Sequence, residues 1–236
     1  MKIDSLASSI RRDLKKLGDA KRKKDTEKYF KEGIKTYGVN VPDARDIAGK
    51  YLSRLKNMGL DDRLRLSEEL LKGGVFEEGI VAFEIVWKAK KHYTKDTFRV
   101  FERWLDTYVK NWAHCDELSN HLFGFLIEKY PELAVRMVPW TKSKNRWKRR
   151  SAAVSFIIPA RKGKNTKEIF EVSEKLMGDE DYMVQKGVGW LLKEESKSNK
   201  KEVIDFLMKW KEKTSGLVIS YATERMPEIR PKLRGK

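Results

Sequence analysis

The sequence predicts an all-α fold, an α-solenoid of HEAT-like helical repeats with a basic concave face. Three observations predict it. Apolar residues recur with a helical period. No stretch alternates strictly, and no hairpin turn lies between alternating runs. The chain also repeats itself weakly at a spacing near 36 residues, which suits stacked pairs of helices.

The helical stripes can be followed along the chain. Ala44, Ile47, Ala48, Tyr51, Leu55 and Met58 share a face of residues 43–58. Cys115, Leu118, Leu122, Phe125 and Leu126 do so over 115–126, and Val184, Val188, Leu191 and Leu192 over 182–192. Breakers part the helices at Gly38 to Pro42, Gly73-Gly74, Tyr130-Pro131, Lys162-Gly163 and Gly178. The repeat aligns NRWKRRSAAV from residue 145 with DYMVQKGVGW from 181, an offset of 36. Leu133 then matches Ile169, and Trp140 matches Leu176; Ile80, in GIVAFEIVW, lies 72 residues upstream of Ala152. An irregular helical bundle is the competing architecture. Residues 1–236 read as one domain, with a first helix and a basic linker ending in KRKK over 1–24 and a frayed tail over 228–236.

Composition narrows the function. Lys and Arg number 52 against 35 Asp and Glu, a formal net charge of +17. Such an excess points to a polyanion, nucleic acid first and acidic membranes or proteins second. A single cysteine, Cys115, excludes disulfides within the chain and points to a reducing compartment. With His92, His114 and His121 it is too small a set for a Cys/His zinc cluster. No P-loop or dinucleotide fingerprint is present, so neither metal nor cofactor is expected. AAVSFIIPA at 152–160 is too short to span a bilayer. MKIDSLASSIRRDLKK lacks the apolar region of a signal peptide.

The charge is not evenly spread. Residues 133–167 hold eleven basic residues and no Asp or Glu: Arg136, Lys142, Lys144, Arg146, Lys148, Arg149, Arg150, Arg161, Lys162, Lys164 and Lys167. A charge run is usually a solvated helix face. A surface of one sign, however, costs self-repulsion unless a partner neutralises it, and this favours phosphate binding. Over 146–158 the core stripe is Trp147, Ser151, Val154 and Ile158, with Arg146 and Arg150 together on a neighbouring face. Over 182–193, Lys186, Trp190 and Lys193 lie off the core stripe. The plain alternative is a tryptophan flat on a neighbouring helix with lysines reaching over it. In KNWAHCDELSNHLF at 110–123, a regular helical step puts Trp112, Asp116, Ser119 or Asn120, and Phe123 beside the core. Alone, Asp116 reads as a surface carboxylate or a cap; beside Trp112 it becomes a candidate site residue.

These segments carry a resemblance. NWAHCDELS at 111–119, NRWKRRSAA at 145–153, VQKGVGWLLKE at 184–194 and YGVNVPDARDIA at 37–48 resemble the AlkD-like DNA alkylation repair proteins. The resemblance implies a HEAT-like solenoid with DNA N-glycosylase activity. Its implied substrates are positively charged alkylated bases, such as 3-methyladenine and 7-methylguanine, in duplex DNA. It implies catalytic-cleft roles for Asp116, Trp112, Trp190 and Arg150. The flanking cations Lys142, Lys144, Arg146, Arg149, Lys186 and Lys193 are then expected on DNA phosphates. No cofactor is implied, and the setting expected is a cytoplasmic monomer acting on the nucleoid. Asn111 and Ala113 depart from the family's frequent tryptophan and additional aspartate. Two other readings stay open: a non-catalytic HEAT-repeat protein that binds or senses damaged DNA, and a protein-interaction scaffold.

Overall fold

The structure is a computed structural model that describes residues 3–233. It is all-helical; among the described residues the β structure is confined to an isolated parallel bridge between Lys35 and Val75. No helix among them is long and apolar enough to cross a membrane. The chain divides into two compact units, one through Leu118 and one from Ser119.

The first unit contains α1 (Ile3–Lys16), α2 (Ala20–Tyr29), α3 (Val41–Leu52), α4 (Leu60–Lys72), α5 (Phe76–Trp87), α6 (Thr97–Thr107) and α7 (Trp112–Asp116). α5 is its centre and packs on α1, α3, α4 and α7. Ten of its twelve residues are buried, as its nearly continuous apolar sequence requires. Two of the ten are glutamates. Glu77 accepts hydrogen bonds from the Thr36 hydroxyl and from the backbone N–H groups of Tyr37, Gly38 and Val39, at 2.5–3.0 Å. Glu78 accepts from Arg11 and from the Tyr37 hydroxyl. Buried carboxylates persist only when satisfied in this way, and the pair fixes the loop over 36–39. Gly38 adopts φ +80°, and an added Cβ would lie 2.2 Å from the Asp19 carbonyl oxygen. Only glycine closes that loop onto the start of α2.

The second unit contains α8 (Gly124–Lys129), a 3₁₀ segment (Pro131–Lys142), α9 (Arg146–Val154), α10 (Ile157–Arg161), α11 (Thr166–Leu176), α12 (Tyr182–Glu195), α13 (Lys200–Trp210), α14 (Gly216–Ala222) and α15 (Arg230–Leu233). α12 is the hub, touching α9, α10, α11, α13 and α14. Its stripe of Val184, Val188, Leu191 and Leu192 is fully buried. Polar contacts in this unit link residues 30 to 36 positions apart. Arg149 reaches Asp179 across 30 positions, Arg161 reaches Glu194 across 33, Arg146 reaches Asp181 across 35 and Trp210 reaches Glu174 across 36.

The expected breakers fall at or just inside helix boundaries; Pro42, for example, lies in the first turn of α3. Three local expectations are corrected. The KRKK run is no linker but part of α2, whose cap Asp19 accepts the Arg22 N–H at 2.6 Å. The expected tail is ordered through Leu233, which is buried, and Arg230 donates to the Thr223 hydroxyl at 3.0 Å; residues 234–236 lie outside the described residues. Finally, Glu117–Phe123 is a π-helical segment. Its wider turn changes the angle per residue within the segment, and Ser119 and Phe123 are fully buried rather than beside the core.

Candidate functional site

In the first unit the site is built on α7. Its cap is Asn111, buried, whose side chain accepts the His114 N–H at 2.8 Å. This gives the departure at position 111 a physical meaning, since asparagine is a strong capping residue and tryptophan is not. Trp112 is half-buried. It stacks on Phe30 with ring centroids 5.3 Å apart and planes 13° apart, and meets Tyr29 edge-on at 6.1 Å. Phe30 leans on Phe76 at 5.3 Å, and Phe76 stacks on His114 at 5.2 Å. A chain of rings thus braces the indole. Burial pushes His114 down to about 4. The neutral ring then donates from Nε2 to the Phe76 carbonyl, 2.8 Å away.

Asp116 is half-buried and stands one turn after Trp112 on the same helix face. A cavity of about 440 Å3 is lined by Lys35, Phe76, Lys110, Asn111 and His114 among others; Trp112 and Asp116 are not part of its wall. Sequence reasoning missed Tyr29 and Phe30. Their signal was two aromatics closing a charged run, AKRKKDTEK, that has no apolar stripe to join.

In the second unit, Arg146 and Arg150 share a face, and that face meets the start of α12. Arg146 donates to Asp181 at 2.9 Å, with its guanidinium carbon 4.9 Å from the Trp147 ring centre and 5.2 Å from that of Tyr182. Arg150 is only 5% exposed; it donates to the Met183 carbonyl. Gly187 makes room for it, since an added Cβ would lie 3.3 Å from the Arg150 Cγ. Arg149 grips both oxygens of Asp179, at 2.6 and 3.2 Å. Lys193 pairs with Glu224 at 2.7 Å, and Lys186 lies 5.5 Å from the Tyr182 ring centre. Trp190 is half-buried on α12. Lys142 and Lys144 are exposed and have no ion pair among the described residues.

The run over 133–167 is therefore acid-free in sequence but not in space. Asp179, Asp181, Glu194 and Glu128 pair with Arg149, Arg146, Arg161 and Lys162 respectively. Burial would raise Glu194, yet hydrogen bonds from Arg161 and Lys197 hold it at about 2. The self-repulsion inferred from the sequence is thus relieved in part within the protein, at four of the eleven positions. Of the four expected catalytic residues, Trp112 and Asp116 belong to the first unit, and Arg150 and Trp190 to the second.

No curated protein matches the chain significantly. Among solved structures, a predicted DNA alkylation repair enzyme from Enterococcus faecalis has a similar fold, with a TM-score of 0.80 at 16% identity, over 89% of this chain and 97% of that one. The family model for DNA alkylation repair enzymes matches residues 10–226. With nearly the whole chain covered, this protein belongs to the DNA alkylation repair enzyme family.

Proposed function

We propose that this chain is an AlkD-like DNA N-glycosylase of HEAT-like repeats. It hydrolyses the N-glycosidic bond of positively charged alkylated purines, of the 3-methyladenine and 7-methylguanine type, in duplex DNA. The observation that carries this reading is the placement of Trp112 and Asp116 on one face of α7, with the indole braced by Phe30. Stacked repeats are supported by the offset of 36 and by polar contacts at nearly the same separation.

Alkylation at N3 or N7 places a positive charge on the base, which then leaves without a strong acid. Positive charge develops on the deoxyribose as the bond breaks. The carboxylate of Asp116 stabilises that charge and orients the attacking water. Trp112 and Trp190 offer π faces to the sugar and the cationic nucleotide. Arg150 holds a backbone phosphate once its guanidinium turns outward from the Met183 carbonyl, since only 5% of the residue is exposed in the free protein. Lys142, Lys144, Arg146, Arg149, Lys186 and Lys193 contact flanking phosphates and carry no sequence information. The enzyme acts as a monomer on nucleoid DNA in the cytoplasm and uses no cofactor.

Base release tests the reading. Duplex DNA carrying 7-methylguanine is incubated with the wild type and with Asp116→Asn, and the free base is quantified. The wild type is expected to release it. The variant should be slower by about 100-fold or more, with DNA affinity nearly unchanged. Equal loss of both would remove Asp116 from the chemical step. Tight binding by the wild type without release would favour the non-catalytic DNA-binding reading.

A further inference from the structure

We propose that the outer face of α2, formed by Lys21, Lys24 and Lys28, binds backbone phosphates of the duplex away from the lesion. This rests on the reading of the chain as a DNA-acting enzyme and extends its DNA surface to a helix outside the basic run.

The helix is anomalous by ordinary rules of stability. It has ten residues and buries none of them. A helix this short is marginal in water and normally depends on an apolar face. Its first turn also breaks the rule that positive charge is unfavourable at a helix N-terminus. That turn contains Lys21, Arg22 and Lys23 and no acid, so a single acid there, the cap Asp19, stands against three cations. Local choices that cost stability without structural return mark function.

What holds α2 is its inner face. Arg22 donates to the Gly38 carbonyl at 3.3 Å. Gly38 lies so close that a Cβ there would be 2.7 Å from the Lys23 nitrogen. Thr26 is the only residue of the helix that is not exposed. At about 100° per residue, Arg22, Thr26 and Lys23 occupy one side, and Lys24, Lys28 and Lys21 cluster on the opposite one. These three lysines are exposed and have no ion pair among the described residues. The acids of the helix do not neutralise them: Glu27 pairs with Lys23 at 4.0 Å, and Asp25 has no ion pair among the described residues.

The geometry suits a phosphate strand. From Lys21 to Lys28 the helix rises about 10 Å, which matches about three phosphate steps of one DNA strand. Flexible ammonium groups suit a backbone contacted without regard to sequence. The helix ends in Tyr29, which, with Phe30, sits on Trp112. Tyr29 and Phe30 face away from the three lysines at about 100° per residue, so the lysine face holds a stretch of backbone distinct from the one at the tryptophan. In the second unit, by contrast, several of the basic residues are already neutralised by carboxylates.

The test is the salt dependence of binding to a fluorescent duplex, measured by anisotropy. Three proteins are compared: the wild type, the triple variant Lys21→Ala, Lys24→Ala, Lys28→Ala, and the matching triple of Lys→Arg changes. Alanine favours helix, and circular dichroism checks that each protein is folded. The alanine triple should flatten the slope of log K against log salt by about one to three. The arginine triple should keep the wild-type slope. An alanine triple with the wild-type slope overturns the proposal, as does an arginine triple that is equally flattened. If the wild type releases 7-methylguanine while the alanine slope is unchanged, only the role of α2 falls. If the wild type does not bind the duplex, the DNA reading falls with it.

Discussion

His114 ties the chemistry of one side chain to the stability of the rings around Trp112. It stacks on Phe76, meets Phe83 edge-on at 5.5 Å, and is held neutral by burial. Its value in the fold, about 4, lies below the ordinary 6.5. Between the two, the unfolded chain takes up a proton that the folded chain refuses. The contribution to stability is therefore complete above pH 6.5 and is lost as pH falls towards 4, by up to about 3 kcal/mol. Urea unfolding should show the wild type losing stability between pH 6.5 and 4.5. His114→Gln should be less stable at pH 7 but flatter across that window. Glu194, held at about 2, loses its own contribution only below the ordinary 4.5, so the two groups separate. A variant profile as steep as the wild type's would assign the loss to other groups.

The elements show a similar economy at the start of α12. Asp181 accepts the N–H groups of Met183 and Val184 at 2.8 and 3.3 Å while pairing with Arg146 of α9. One carboxylate thus caps a helix and joins it to its neighbour. Asp181→Ala should cost about 1–3 kcal/mol in urea unfolding, from the lost cap and the lost charge partner. Asp181→Asn keeps the cap and should recover most of that loss. If asparagine is as damaging as alanine, the ion pair rather than the cap is the main contribution. The elements themselves were largely legible. Val184, Val188, Leu191 and Leu192 announce α12, and Gly73-Gly74 marks the break between α4 and α5. The π-helical segment after Asp116 was not legible, because a wider turn leaves no compositional mark and a fixed 100° step misplaces the residues within it. The helix at 20–29 was also hidden, since it has no apolar stripe and depends on a cap and a loop closed by Glu77.

For the whole molecule the relevant quantity is not the net charge of +17 but which cations lack a carboxylate partner. The sequence shows the basic run clearly. It hides the acids that answer it, because Asp179 and Asp181 come 30 and 35 positions later and reach it only through packing. The burial of Arg150 is hidden in the same way, for it depends on space left by Gly187. The distinction has a measurable consequence. Binding DNA gains from counterion release only when a cation replaces condensed ions at a phosphate. Lys144 is exposed and unpaired among the described residues, so Lys144→Ala should flatten the salt dependence of DNA binding by about 0.9 in log–log slope. Arg149 is already forked onto Asp179. Arg149→Ala should flatten the slope by less, while Asp179→Asn, which removes the opposing charge, should steepen it. If Arg149→Ala flattens the slope as much as Lys144→Ala, the arginine exchanges its carboxylate for phosphate when DNA arrives, and the ion pair of the free protein is a latch that DNA opens.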